Sequence, residues 1–248
     1  MIAALRIGLL LALLLLWSVV AAGMPQGLFA SPTETFHAAQ RMLGEGRLYS
    51  AVGQSLRVYL LGTGLAALVG IGVGLMMGSF ATVGKTLDIY VNALAATPRV
   101  AFVPLIIVLL GLGLKAKVFI VFLGAVMPII LNTYAGVRAA DPGLVEMARS
   151  TGAGAFRIFR HVVLPGAVPF LLTGLRIGAT IGLINTVVAE LYTAVSGLGG
   201  LLAIYGSSFR MAEYFVVVLT LSLIGVIATE ILRHIELYLT RWMAADRR

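Results

Sequence analysis

Asp141 to Pro165, DPGLVEMARSTGAGAFRIFRHVVLP, is the one long hydrophilic segment between strongly apolar ones, and the rest of the chain reads as a means of presenting it. Asp141 is a good helix cap, and Pro142 suits the first helical position, where a missing N–H costs nothing. Leu144, Val145, Met147 and Ala148 give this first helix an apolar side, with Glu146 and Arg149 polar. Gly152 suits the left-handed position just past a helix end. A second amphipathic run, Phe156 to Val163, sets Arg157, Arg160 and His161 opposite Phe156, Ile158, Phe159 and Val163, and Pro165 marks the start of the next apolar span. The pattern predicts two short helices at an angle, lying on a membrane surface.

The surrounding chain is a lipid-soluble one. It is 60% hydrophobic and 11% charged, with mean hydropathy +1.04. No soluble domain of this length could hide so much apolar surface, so the expected fold is an all-α polytopic membrane protein. Cysteine is absent, which excludes disulfides and Cys-ligated metals. The net charge of +8 does not indicate nucleic acid, because the basic residues sit singly at the ends of apolar spans.

Six spans are predicted. Ile7–Ala22 is the first; a cleaved signal peptide competes with a retained helix, and the single Arg6 before it makes a weak leader. Residues 24–50 carry Pro25, Pro32, Gly44 and Gly46 and read as an external connection with one short helix near Thr35–Met42. The second span covers Ala51–Ser79, where Gly62, Ala66, Gly70, Gly74 and Gly78 place small side chains on one helical face for helix packing. Gly78 to Thr86 nearly spells a phosphate-binding loop. It has one residue too many between its glycines and no preceding strand, so ATP is left to another chain. The third span, Leu87–Leu112, contains Pro98 and Pro104, which free the Leu94 and Val100 carbonyls, and Lys115 and Lys117 close a short loop after it. The fourth, Val118–Val137, has Pro128 freeing the Gly124 carbonyl. The fifth runs from Pro169 to Val195, with Ser196–Gly200 breaking the helix ahead of a re-entrant or surface stretch to Arg210, and the sixth is Tyr214–Leu239. The expected division is residues 1–50 as first helix and external connection, 51–240 as the transmembrane domain, and 241–248 as a cytoplasmic tail.

The hydrophilic segment also carries a resemblance. Glu146-Met147-Ala148, three residues, Gly152, nine residues, Val162, one residue, then Leu164-Pro165 resembles the EAA motif of ABC-importer permeases, with Met147 and Val162 as mild departures. Pro104 to Gly136, and the Glu190 with Ser196–Gly199 pattern, are similar to the nitrate, sulfonate and taurine permease group. That group more often has a Trp early in the fifth span, where this chain has Thr180-Ile181-Gly182. The resemblance implies a type I transmembrane domain with a cytoplasmic coupling helix between spans four and five, contacting an ATPase through Glu146, Met147, Ala148, Gly152, Leu164 and Pro165. It further implies two ATPase subunits holding ATP and Mg, a second permease copy as homodimer partner, and an external binding protein that delivers a small, anionic solute of the sulfonate, nitrate or taurine kind. This chain then binds no cofactor and is a pore-forming subunit rather than an enzyme.

Charge distribution orients the chain. Arg6, Lys85, Arg138, Arg149, Arg157, Arg160, Arg233, Arg241, Arg247 and Arg248 fall on one side, and Arg41, Arg47, Lys115, Lys117 and Arg210 on the other. The positive-inside rule places the larger set, both termini and the EAA-like loop in the cytoplasm of an inner membrane. His37, His161 and His234 are far apart and form no catalytic or metal motif. An ion-coupled secondary transporter is the competing class. Such carriers keep an ionisable group deep in the bundle, whereas Glu190, Glu213 and Glu230 lie towards span ends. The candidate translocation residues are Arg99, Asn132 and Glu190.

Overall fold

The computed structural model describes residues 2–25, 27–194 and 196–240. Val195, expected to end the fifth span, and the tail 241–248 with Arg241, Arg247 and Arg248 lie outside the described residues. Among those described there is no strand. The helices are α1 (Ile2–Ala22), α2 (Pro32–Gly44), α3 (Arg47–Ser79), α4 (Ala81–Ala96), α5 (Val103–Leu110), α6 (Leu114–Arg138), α7 (Pro142–Ser150), α8 (Ala155–Ile158), α9 (Leu164–Thr193), α10 (Gly197–Ser207) and α11 (Met211–Leu239). A 3-10 turn (Arg99–Phe102) precedes α5, and a π turn (Phe159–Val163) joins α8 to α9. Five stretches are long and apolar enough to cross a membrane, and α4 with the 3-10 turn and α5 makes a sixth if that bent pair is one span.

The chain forms two compact units, Met1–Leu56 with Glu190–Ile224, and Arg57–Ala189 with Gly225–Arg248. In the second unit α6 is the central helix, its apolar window half buried. A Cβ added at Gly62 would meet Val121 Cβ at 2.5 Å, at Gly70 Ile129 Cγ2 at 2.8 Å and at Gly74 Thr133 Cβ at 2.5 Å; Gly78 lies equally tight against Val137. The offset in sequence is identical in all four pairs, so α3 and α6 run parallel and in register. The same offset sets Ala66 opposite Ala125, and both are wholly buried in one core cluster. The knobs are β-branched, with stiff χ1 that loses little freedom on packing, and glycine notches bring the two backbones close. Lipid is as apolar as these side chains, so such contact, rather than release from water, holds the pair together.

The other side of α6 receives α9 antiparallel. Gly136 abuts Phe170, Gly174 abuts Asn132, Gly178 abuts Ile129, and Gly124 abuts Asn185. Ile129 therefore stands between Gly70 and Gly178. Farther along, Arg176 pairs with Glu236 of α11 at 3.2 Å.

Proline placement differs from expectation in two ways. The third span is bent by 80° at a full break after Ala96, between two separate helices. Thr97, ahead of Pro98, is forced to an extended conformation (φ −73°, ψ 133°) and ends α4. Pro104 lies in the first turn of α5 rather than in a helix interior, so it frees no carbonyl. Lys115 and Lys117 do not form a loop. Gly111, at φ +77°, makes the turn, and both lysines begin α6, with Lys117 only 3% exposed.

In the first unit, α2 opens on a capping box. Glu34 N–H donates to Ser31 Oγ at 3.3 Å and Ser31 N–H donates to Glu34 Oε2 at 2.8 Å. The backbone bond from Ser31 first, and its hydroxyl second, hold the Glu34 carboxyl below its ordinary value of 4.5. A depressed carboxylate adds helix stability that is present above the ordinary value and lost as pH falls through the lowered one. Trp17 of α1 donates its indole N–H to Ala30 O at 2.9 Å and packs on Phe215, which Phe29 also meets edge-on. Glu213 takes Arg210 at 2.7 Å and Arg41 at 3.7 Å.

Gly74→Ala and Gly64→Ala separate close packing from helix propensity, since Gly64 has nothing within 4 Å of an added Cβ. Alanine at 74 overpacks against Thr133 and should lose about 1–3 kcal/mol, while alanine at 64 should be neutral or slightly stabilising. Thermal unfolding of the detergent-solubilised chain, followed by size-exclusion chromatography, measures both.

Candidate functional site

The segment that opened the sequence reading folds as an exposed bracket. Asp141 caps α7, its Oδ1 accepting the Gly143 N–H at 2.7 Å with Pro142 in the first turn. At the other end Ala153 N–H donates to Ala148 O (3.0 Å) and Gly152 N–H to Arg149 O (2.9 Å), a Schellman arrangement. Gly152 has φ +79° and open space where a side chain would be. No residue of α7 is buried; Glu146 is exposed, Ala148 is half-buried, and Leu144, Met147 and Phe156 leave 47%, 60% and 73% of their surface uncovered.

The second amphipathic run is not a separate helix set at an angle. α8, the π turn and α9 are continuous from Ala155 to Thr193. Pro165 cannot donate and would press on the carbonyl four residues back. The turn before it widens, so that Leu164 N–H reaches Phe159 O, five residues away. Leu164 and Pro165 are half-buried in that continuous helix, while Arg157, Arg160 and His161 stay exposed beside α7.

The three translocation candidates occupy different surroundings. Arg99 is half-buried and donates from Nη1 to Gly124 O and from Nη2 to Ala95 O, each at 2.8 Å. Asn132 Nδ2 donates to Pro128 O at 2.8 Å, with its Cβ against Gly174. Glu190 is 0% exposed. Its carboxylate accepts from Ser55 Oγ at 2.9 and 2.7 Å and from Gly199 N–H at 2.9 Å. Ser55 Oγ in turn accepts from Leu198 N–H at 2.8 Å, and Gln54 Oε1 accepts from Gly197 N–H at 3.1 Å. Side chains of α3 and α9 thus satisfy the orphan N–H groups that open α10. Here the glycine run starts a helix instead of breaking one. The break falls at Ala194, at φ +48°, and Gly197, at φ +85°, lies too close to Glu190 for any side chain. Ser55 and Gln54 were missed in the sequence because nothing local distinguishes them; their partners are more than 130 positions away.

The fold thus combines a broken span, a close-packed parallel helix pair and an exposed amphipathic bracket between two apolar spans. The chain belongs to the family of binding-protein-dependent transport system inner membrane components, matching it over residues 66–241. It is a permease subunit of a type I ABC importer. It is 30% identical to the taurine transport system permease protein TauC of Escherichia coli, over 96% of this chain and 89% of TauC. It is 38% identical to SsuC of the same organism, a permease named for aliphatic sulfonates transport, over 65% of this chain and 61% of SsuC. A chain of the inward-facing MetNI methionine ABC transporter shares the fold at TM-score 0.69, with 21% identity, over 78% of this chain and 96% of that one.

Ser55→Ala removes the hydroxyl that links Glu190 to the Leu198 N–H and leaves buried partners short of a bond. The expected loss is about 1–3 kcal/mol, with faster amide hydrogen exchange confined to residues 197–207. Mass-spectrometric exchange on the purified protein checks this; unchanged protection of α10 contradicts it.

Proposed function

We propose that α7 and its Schellman turn form the coupling helix of this importer, docking on a separate ATPase subunit that binds ATP and Mg. The observation that carries this is the exposed surface of α7 and α8: Leu144 and Met147 of α7 and Phe156 of α8 are apolar, largely uncovered, and accompanied by exposed Glu146, Arg149 and Arg157 on a segment too polar to sit in lipid. An apolar centre with a charged rim is what a protein partner needs. Met147 and Leu144 fill the partner's groove, Glu146 and Ala148 shape the contact, Gly152 sets the return angle, and Leu164–Pro165 transmit the push into α9. Closure of two ATPase subunits on ATP then rocks two permease copies between states open to either side.

The solute is a small sulfonate-type anion brought by an external binding protein, a reading supported by TauC and SsuC being named for taurine and aliphatic sulfonates. Arg99 and Asn132 border the path, and Glu190 is the third residue assigned to it. The termini and α7 face the cytoplasm, as the distribution of lysine and arginine favours.

Gly152→Val forces a β-branched side chain to positive φ without creating a clash, so it should lower solute-stimulated ATP hydrolysis at least about tenfold with membrane abundance preserved. Gly152→Asn, which tolerates the left-handed region, should lose far less. Reconstituted complexes that couple equally well in both variants would contradict the proposal.

Orientation is tested separately by reporters. One inserted near Pro32 should report an external position, and one fused after Arg248 a cytoplasmic position. A cytoplasmic signal from the Pro32 site in a functional protein would reverse the assignment.

A further inference from the structure

Arg99 opens the 3-10 turn after α4 and Pro128 lies inside α6, and the two are joined through a single backbone oxygen. Proline at 128 has no N–H to give the Gly124 carbonyl four residues earlier, so that acceptor is orphaned by the sequence of α6 itself. The Arg99 Nη1 donates to that same Gly124 oxygen at 2.8 Å. Its Nη2 donates at 2.8 Å to Ala95 O, one of the last-turn carbonyls of α4, where a cation also meets the negative end of the helix dipole. One planar guanidinium therefore serves two carbonyls that lack a helical donor, on two different helices, at the elbow where the chain bends by 80°.

We infer that Arg99 is a positioning residue for transport, supplying the hydrogen bond that Pro128 removes from α6 and thereby holding the α4–α5 elbow against α6 one turn before Pro128, rather than attracting the solute by its charge. A charge inside the bilayer must be occupied, and this one is occupied by backbone. The fork geometry explains the choice of arginine, since a lysine ammonium cannot present two parallel donors in one plane. The inference goes beyond the solute reading above and does not depend on which solute is carried, because it concerns two backbone oxygens of this chain.

The pairing makes a compensation test possible. Arg99→Met keeps length and apolar bulk but removes both donors; Pro128→Ala restores an N–H within reach of Gly124 O. Each variant is made singly and together in the assembled complex, with transport, ATP hydrolysis and detergent-solubilised melting temperature recorded. Arg99→Met should reduce transport roughly tenfold in the native background and by less than about threefold in the Pro128→Ala background. If Pro128→Ala alone abolishes transport, the melting temperature carries the comparison: the drop caused by Arg99→Met should be smaller in the Pro128→Ala background. Arg99→Lys retains the charge and should behave closer to Met than to Arg. Equal losses from Arg99→Met in both backgrounds, by transport and by melting alike, would overturn the inference. Full activity in Arg99→Lys would overturn it too and point to charge steering of an anion. Failure of the coupling proposal would leave this comparison intact, because melting is read without ATP.

Discussion

Ile129 stands between two glycines, and much of the larger unit depends on that arrangement. A Cβ at Gly70 would approach Ile129 Cγ2 to 2.8 Å, and one at Gly178 would approach Cγ1 to 2.7 Å. Two helices thus reach the backbone of α6 from either side of one branched residue. Within lipid no water is released when apolar faces meet, so the free energy of association comes from dispersion between closely fitted atoms. Close fit needs short backbone separation, and only glycine and alanine permit it. Thr133 shows how far packing dominates: its hydroxyl is wholly buried with no hydrogen-bond partner among the described residues, while its methyl and Cβ fill the Gly74 notch.

Four prolines in or beside the spans, Pro98, Pro104, Pro165 and Pro128, are accommodated in four different ways. Thr97 goes extended before Pro98 and terminates a helix. Pro104 is moved to a helix start, where the missing N–H is harmless. Pro165 is accommodated by a π turn that keeps α8 and α9 continuous. Pro128 is met by a side chain from another helix. Glu190, in the last turn of α9, holds the opening turn of α10 through its carboxylate.

The sequence by itself determined the membrane class, the long apolar helices and the bracket. Those features follow from apolar length, from charge at span ends and from local rules: Asp141 before Pro142, a glycine at the helix end, and small residues every four positions. The partner of the glycine stripe was also written there, in the matching series Val121, Ala125, Ile129, Thr133 and Val137, had α6 been read for its own repeat of four. Only the tertiary structure decided the angle at Pro98, the continuity through Pro165, the burial of Lys117 and the environments of Arg99 and Glu190. The physical reason is common to all of these. A freed carbonyl or a buried charge states a need without naming what meets it, and the donor can come from any helix that packing brings within 3 Å. Sequence distance carries no information about that choice; the glycine contacts that set which helices touch do.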